Sequence, residues 1–222
     1  GYRIDVCVPS GNFGNIYAGF LARSMGVPIR RLMLATNENN VLEEFFTTGI
    51  YRPRSAEDTL ATSSPSMDIS KASNLERFIW ALLGPEVFVQ RWAELEATGT
   101  LDLRDQLPRL HEEFGFVAGT STHADRLEAI RSVKERSGRL IDPHTADGVT
   151  VALRVMEPGF PTLVMETAKA AKFPQTVAEA LGSEPETPDV VADLLARPQK
   201  VETIDNEEAP LRALIEERAL TR

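Results

Sequence analysis

The sequence is poor in several residue types, and each scarcity excludes a class of protein. One cysteine, Cys7, in 222 residues rules out an internal disulfide and fits a reducing compartment such as the cytoplasm. No apolar run approaches the roughly 20 residues that cross a bilayer as a helix. Cations are in deficit: 24 Lys and Arg against 33 Asp and Glu give a net charge of −9. No surplus of positive charge exists to neutralise nucleic-acid phosphates or an anionic lipid surface, so neither nucleic acid nor membrane is expected as a partner. That deficit leaves room for a small anion, because backbone N–H groups can hold one inside an acidic protein. The histidines, His111, His123 and His144, fall on separate segments with no carboxylate or cysteine at ligand spacing, and no metal site is read from them. His144 reads as structural, with Asp142 or Thr145 capping the helix that follows. Cys7, inside an apolar strand, reads as an inert core thiol.

What is present is an ordinary globular composition, 42% hydrophobic, with α/β patterning at both ends. Residues 1–36 form a β-α-β unit: an apolar strand Ile4 to Val8, a Gly/Asn/Ser turn, a helix from Asn15 to Met25 stopped at Gly26, and a second strand from Ile29 to Ala35. Residues 37–138 read as a mostly helical insert. Its predicted helices are Glu38 to Thr48, Ile69 to Leu83, Glu86 to Ala97, Asp102 to Phe114 and His123 to Ser137, and a polar stretch from Tyr51 to Asp68 is long enough for a lid or a surface loop. Residues 139–222 return to the sheet, with a short strand at Arg139 to Asp142, a helix from Thr145 to Met156, a strand from Pro161 to Glu166 and C-terminal helices. Such units assemble parallel sheets. The chain moves from Gly1-Tyr2-Arg3 almost at once into a core strand, which predicts either a preceding portion that has been removed or a processed start on a complete domain.

The sharpest local feature is Val8-Pro9-Ser10-Gly11-Asn12-Phe13-Gly14-Asn15. A glycine-containing turn between a strand and a helix start aims unpaired N–H groups in one direction, and the helix dipole adds positive potential there. Glycine permits left-handed backbone and close approach of an oxyanion. Neither a G-x-G-x-x-G fingerprint nor a P-loop fits the stretch. On geometry alone a phosphate cradle and a plain Asn/Gly turn both remain open.

Ser-Gly-Asn-Phe-Gly-Asn after a Val-Pro strand end resembles the cofactor-phosphate loop of threonine synthases, members of the tryptophan-synthase-like, fold type II pyridoxal-phosphate enzymes. Four further stretches match that family in the same order. They are Ala35-Thr36-Asn37-Glu38-Asn39; the pair Ser64-Pro65-Ser66-Met67-Asp68-Ile69 and Ser73-Asn74-Leu75-Glu76-Arg77; Asp142-Pro143-His144-Thr145-Ala146-Asp147-Gly148-Val149; and Thr167-Ala168 with Ala171-Lys172-Phe173. The resemblance implies the C-terminal part of such an enzyme. It also implies that Gly11, Asn12, Phe13, Gly14 and Asn15 hold the phosphate of pyridoxal 5′-phosphate, with the Phe13 ring shaping the pocket. Thr167 would face the pyridine nitrogen with a neutral hydroxyl; without the resemblance it reads as a strand-end cap. Asn37, Ser66, Asn74 and Arg77 become candidate substrate contacts, although Arg77 reads equally well as a solvated helix arginine paired with Glu76 or Glu43. Glu166 stands where the family usually has Ser, and Lys169-Ala170 where it has His-Pro.

The activity that the resemblance implies is conversion of O-phospho-L-homoserine and water to L-threonine and phosphate. A lysine serves there as imine partner of the cofactor and as general acid and base. In the family that lysine precedes the phosphate loop by a long stretch. Lys71, Lys134, Lys169, Lys172 and Lys200 do not match its position, so no catalytic lysine is assigned. The isolated chain is expected to be inactive and to self-associate through the exposed half of its site. Competing readings are a threonine-synthase-like phospho-lyase and a non-catalytic phosphate-binding module.

Overall fold

The computed structural model describes residues 2–219. The first strand, β1 (Ile4–Pro9), is buried at all but its first position. It leads through a tight turn into α1 (Gly14–Ser24), which buries Ile16 and Phe20, and then into β2 (Ile29–Thr36). Next come α2 (Val41–Thr48), the two-residue β3 (Ile50–Tyr51), an irregular stretch with a 3-10 turn at Pro65–Met67, α3 (Leu75–Leu83), α4 (Pro85–Thr98) and β4 (Leu101–Asp102). A 3-10 turn (Arg104–Gln106) and a π turn (Arg109–Glu113) precede β5 (Phe116–Thr120). The remainder is α5 (His123–Ser137), α6 (Pro143–Val155), β6 (Thr162–Val164), a 3-10 turn (Ala170–Lys172), α7 (Pro174–Leu181), α8 (Asp189–Leu195) and α9 (Glu208–Arg218).

Four strands make one sheet in the order β5-β2-β1-β6, and every pairing in it is parallel. Both faces of the sheet are covered, which explains why residues 6–8 of β1 and 32–35 of β2 read as continuous apolar stretches rather than alternating ones. Val6, Val8, Leu32 and Leu34 face a core built with α1, α2 and α3. The intervening Cys7, Met33 and Ala35 pack against Val151 and Ala152 of α6. Cys7 donates to the Gly148 carbonyl at 3.2 Å, and burial pushes its thiol up to about 12, so it stays protonated and inert.

Two compact units are distinguished, one ending at Glu186 and the other beginning at Thr187. Within the second, α9 has no buried residue and carries an Arg212–Glu208 pair at 2.7 Å. Among the described residues no helix is long and apolar enough to cross a membrane, and no cluster of metal-ligating side chains occurs.

The structure corrects two expectations. No helix runs from Asp102 to Phe114: the segment opens as a strand paired with β3 and continues as 3-10 and π turns, because Leu101, Leu103 and Leu110 are drawn separately into the core. Arg139 to Asp142 forms no strand; no neighbouring strand is there to pair with it, and Asp142 is instead the N-cap of α6. The mostly helical segment 37–138 also supplies β5, which pairs with β2 from Leu32↔Phe116 to Thr36↔Thr120. In addition, α3 begins at Leu75 rather than Ile69.

Candidate functional site

At the carboxyl end of β1 the chain turns sharply through Ser10–Phe13. Phe13 is the hinge of that turn. Its φ of 69° makes it the one non-glycine residue among those described in left-handed backbone, a conformation that costs roughly 1–2 kcal/mol for an L-residue. The ring offsets that cost by burial. It is fully enclosed and lies 5.6 Å from Phe46, 5.8 Å from Phe78 and 6.0 Å from Phe116. The side chain therefore faces the core, while the backbone on either side faces a pocket.

The N-cap Phe13 offers α1 no side-chain cap, so beyond Gly14 N its first turn keeps the donors and positive potential of a helix start. Asn12 shapes the loop: its Oδ1 accepts from Gly14 N at 2.9 Å, and its carbonyl accepts from Asn74 N at 3.0 Å and Asn74 Nδ2 at 3.2 Å. Gly11 sits against the 3-10 turn across the pocket, where a Cβ would lie 2.9 Å from Met67 Cα. Ser10 is only 4% exposed, and its Oγ has no hydrogen-bond partner.

The resulting cavity holds about 190 Å³ and is lined by Pro9, Ser10, Gly11, Asn12 and Asn15 on one side, Ser66, Met67 and His144 on the other, with Thr167 and Ala168 after β6. Larger cavities lie elsewhere, one of 520 Å³ between α5 and α6 and one of 420 Å³ beside Trp80 and Trp92. Chemistry rather than volume singles out the smaller one: it combines a helix start, a glycine held at contact distance and a buried hydroxyl without a partner.

The expected site residues divide accordingly. Gly11, Asn12, Asn15, Ser66 and Thr167 line this cavity; Gly14 and Asn74 sit directly behind it, with Asn74 Nδ2 3.2 Å from a Cβ built on Gly14. Phe13 contributes its backbone conformation, and its ring lies in the core. Two residues are not brought there. Asn37 is enclosed and donates through Nδ2 to Thr62 Oγ1 at 2.9 Å, Ser64 Oγ at 3.1 Å and Asp68 Oδ1 at 2.9 Å, so its amide is committed to folding residues 62–68. Arg77 lines the separate cavity with Trp80 and Trp92. No lysine is among the residues lining the 190 Å³ cavity; Lys169 pairs with Glu166 at 2.6 Å, and Lys172 lines another cavity.

His144 reaches the cavity although the sequence marked it only as a helix-start residue. Its Nδ1–H donates to Asp142 Oδ1 at 2.8 Å, and its Nε2 accepts from Ser66 N at 3.1 Å. The ring packs against Phe173 at 4.8 Å. Burial raises the Asp142 carboxyl, but bonds from His144 and Thr145 outweigh it and hold the group below its usual range. Nearby, the enclosed Arg126 joins Glu38 at 2.9 Å, Asp147 at 3.1 Å and Ser63 at 2.7 Å. Burial pushes Asp147 up to about 6 in spite of that arginine.

The comparisons with known proteins fall on this frame. The family model described as threonine synthase, C-terminal, matches residues 145–215. A threonine synthase from Methylobacillus glycogenes is 48% identical over 97% of the chain, and one from Corynebacterium glutamicum is 50% identical over 92%. The chain covers 46% and 44% of those two proteins, and so spans about half the length of the curated relatives it matches. Among solved structures, the pyridoxal-phosphate-bound threonine synthase from Brucella melitensis superposes with a TM-score of 0.87 at 33% identity, over 99% of the chain and 47% of its own. The chain is thus similar throughout to threonine synthases and to their C-terminal portion in particular, and it shares their fold type II architecture.

Proposed function

We infer that this chain is the C-terminal, cofactor-holding portion of a threonine synthase, and that the 190 Å³ cavity receives pyridoxal 5′-phosphate. The observation that carries the reading is Ser10: a buried hydroxyl with no partner, lining a cavity at an uncapped helix start. A phosphate oxygen would satisfy it. Gly11 lets the turn at Met67 close against the loop and complete the cradle, since a Cβ there would lie 2.9 Å from Met67 Cα.

In this reading the phosphate rests on the backbone of Gly11 to Asn15, with Ser10 donating to it. When bound, the cofactor supplies an electron sink for bond changes at the substrate's carbons. Thr167, a neutral hydroxyl on the rim of the same cavity, offers the ring nitrogen a hydrogen bond without fixing a proton on it. Ser66 and Asn74, beside the loop, are the substrate-side groups. Functionally, residues 1–36 then carry the anion loop, 37–138 the substrate side and 139–222 the nitrogen partner. For the whole protein the proposed reaction is conversion of O-phospho-L-homoserine and water to L-threonine and phosphate, in the cytoplasm. The imine-forming lysine comes from outside the residues that line this cavity.

The test has two parts. Titration of the 222-residue chain with pyridoxal 5′-phosphate, followed by absorbance and by phosphorus NMR, is expected to give saturable binding that inorganic phosphate displaces. The same chain is expected to release no phosphate from O-phospho-L-homoserine. Absence of binding sinks the cavity assignment; turnover sinks the assignment of the lysine to another part of the protein.

A further inference from the structure

Ser66 and Met67 form the wall opposite the anion loop, and they close tightly on it: a Cβ on Gly11 would lie 2.9 Å from Met67 Cα and 3.3 Å from Met67 O. The turn carrying that wall is tied down on two sides. Asn37 and Asp68 hold its flank. Toward α6 it is held through the Ser66 N–H, which donates to His144 Nε2 at 3.1 Å across 78 residues of sequence.

We propose that His144 is a positioning residue, whose Nε2 lone pair fixes Ser66 and Met67 against Gly11 and thereby sets the width of the anion cavity. This rests on reading the cavity as the site of a phosphorylated ligand. The lone pair is available because Asp142, a carboxylate that only accepts, holds the proton on Nδ1 at 2.8 Å. Asp142 is itself fixed as the N-cap of α6, accepting from His144 N. His144 is 2% exposed and its ring is packed on Phe173, so water is poorly placed to replace a lost acceptor. The elements thus form a chain: α6 fixes Asp142, Asp142 fixes the tautomer, the tautomer fixes Ser66, and Ser66 fixes the wall. His144 acts through Ser66 and needs no contact with the ligand.

Two substitutions separate its two bonds. His144→Asn keeps a donor to Asp142 but cannot reach Ser66. His144→Gln places an acceptor near the Nε2 position and gives up the bond to Asp142. The probe is pyridoxamine 5′-phosphate, which has no aldehyde and needs no lysine, titrated into the full chain by fluorescence. His144→Asn is expected to weaken binding about tenfold, and His144→Gln to stay within about threefold of wild type. Thermal midpoints are expected in the opposite order, with His144→Asn closer to wild type. A purely structural histidine would instead make affinity and midpoint fall together, and that result overturns the inference. Equal affinity in all three chains overturns it as well, while leaving the cavity assignment intact. A wild-type chain that binds neither this probe nor inorganic phosphate overturns both. If either variant is unfolded by circular dichroism, Ser66→Pro removes the donor and keeps the imidazole; it is expected to repeat the tenfold loss, and wild-type affinity there refutes the proposal.

Discussion

Phe13 carries two demands on one residue: left-handed backbone at φ 69° for the loop, and an enclosed ring among Phe46, Phe78 and Phe116 for the core. Glycine would satisfy the first and forfeit the second. Phe13→Ala is expected to cost about 3–5 kcal/mol, read as a lower urea midpoint at unchanged m-value. Gly11→Ala should lower stability by about 1–3 kcal/mol and weaken phosphate-ligand binding about tenfold or more, because the new methyl would lie 2.9 Å from Met67 Cα, a backbone atom that cannot swing aside as a flexible side chain would. Asp147 gives a pH signature. Its folded value of about 6 lies above the ordinary 3.8, so between these values the folded chain holds the proton more tightly. Stability from this group is therefore greatest at low pH and declines as pH rises through that window. Urea midpoints at pH 5 and 7 should show the slope, and Asp147→Asn should flatten it. Asp5 and Asp142 work in the opposite sense. Burial raises both, but Arg30 and Arg31 override it at Asp5 and His144 and Thr145 at Asp142, so their contribution is lost only as pH falls below about 4. At this scale the anion loop was legible in the sequence because its chemistry is contiguous from Ser10 to Asn15. The reach of His144 into the same cavity was not, since its partner is Ser66 on the other side of the fold. Nor could sequence foresee that Asn37 spends its amide within residues 62–68, or that Arg77 turns toward Trp80 and Trp92.

Between elements, one tie is the fully enclosed Arg126. From α5 it reaches Glu38 after β2, Asp147 in α6 and Ser63 in the irregular stretch. Arg126→Met leaves the enclosed Asp147 and the part-buried Glu38 without that partner and is expected to destabilise the chain by about 3–5 kcal/mol, again read by urea unfolding. The start of α5 is more modest. Thr122 and Asp125 form a reciprocal capping box, and Thr122→Ala should cost about 1 kcal/mol. Elements whose signals are local were legible in outline: β1, β2, α1, α4 and α5 fall within a residue or two of their expected bounds. The failures share a cause. Phe116–Thr120 is short, contains Ala118 and Gly119, and becomes a strand only because β2 is beside it. Leu140 and Ile141 have strand-like side chains and no strand to pair with. Such outcomes are set by neighbours distant in sequence.

For the molecule as a whole, the parallel sheet ends on a short strand. Among the described residues β6 pairs with β1 alone, and near that edge Leu163 and Met165 are exposed to 52% and 39%. An open edge with apolar neighbours favours association. The isolated chain is expected to self-associate at micromolar concentration, and Leu163→Lys should shift sedimentation toward the monomer. Parallel α/β organisation was legible from the strand–helix alternation, while the division after Glu186 was marked in the sequence only by the proline-rich connector with Pro185 and Pro188. Phe13 has a last consequence at this scale. Ligand-binding segments usually belong to the least stable part of a protein and open often. Here the receiving loop is bolted to the aromatic core through the enclosed Phe13 ring, so the backbone of Gly14 and Asn15 should show NMR order parameters close to those of the core strands with or without a bound anion. The anion would then meet donors already in place, with little disorder left to lose on binding.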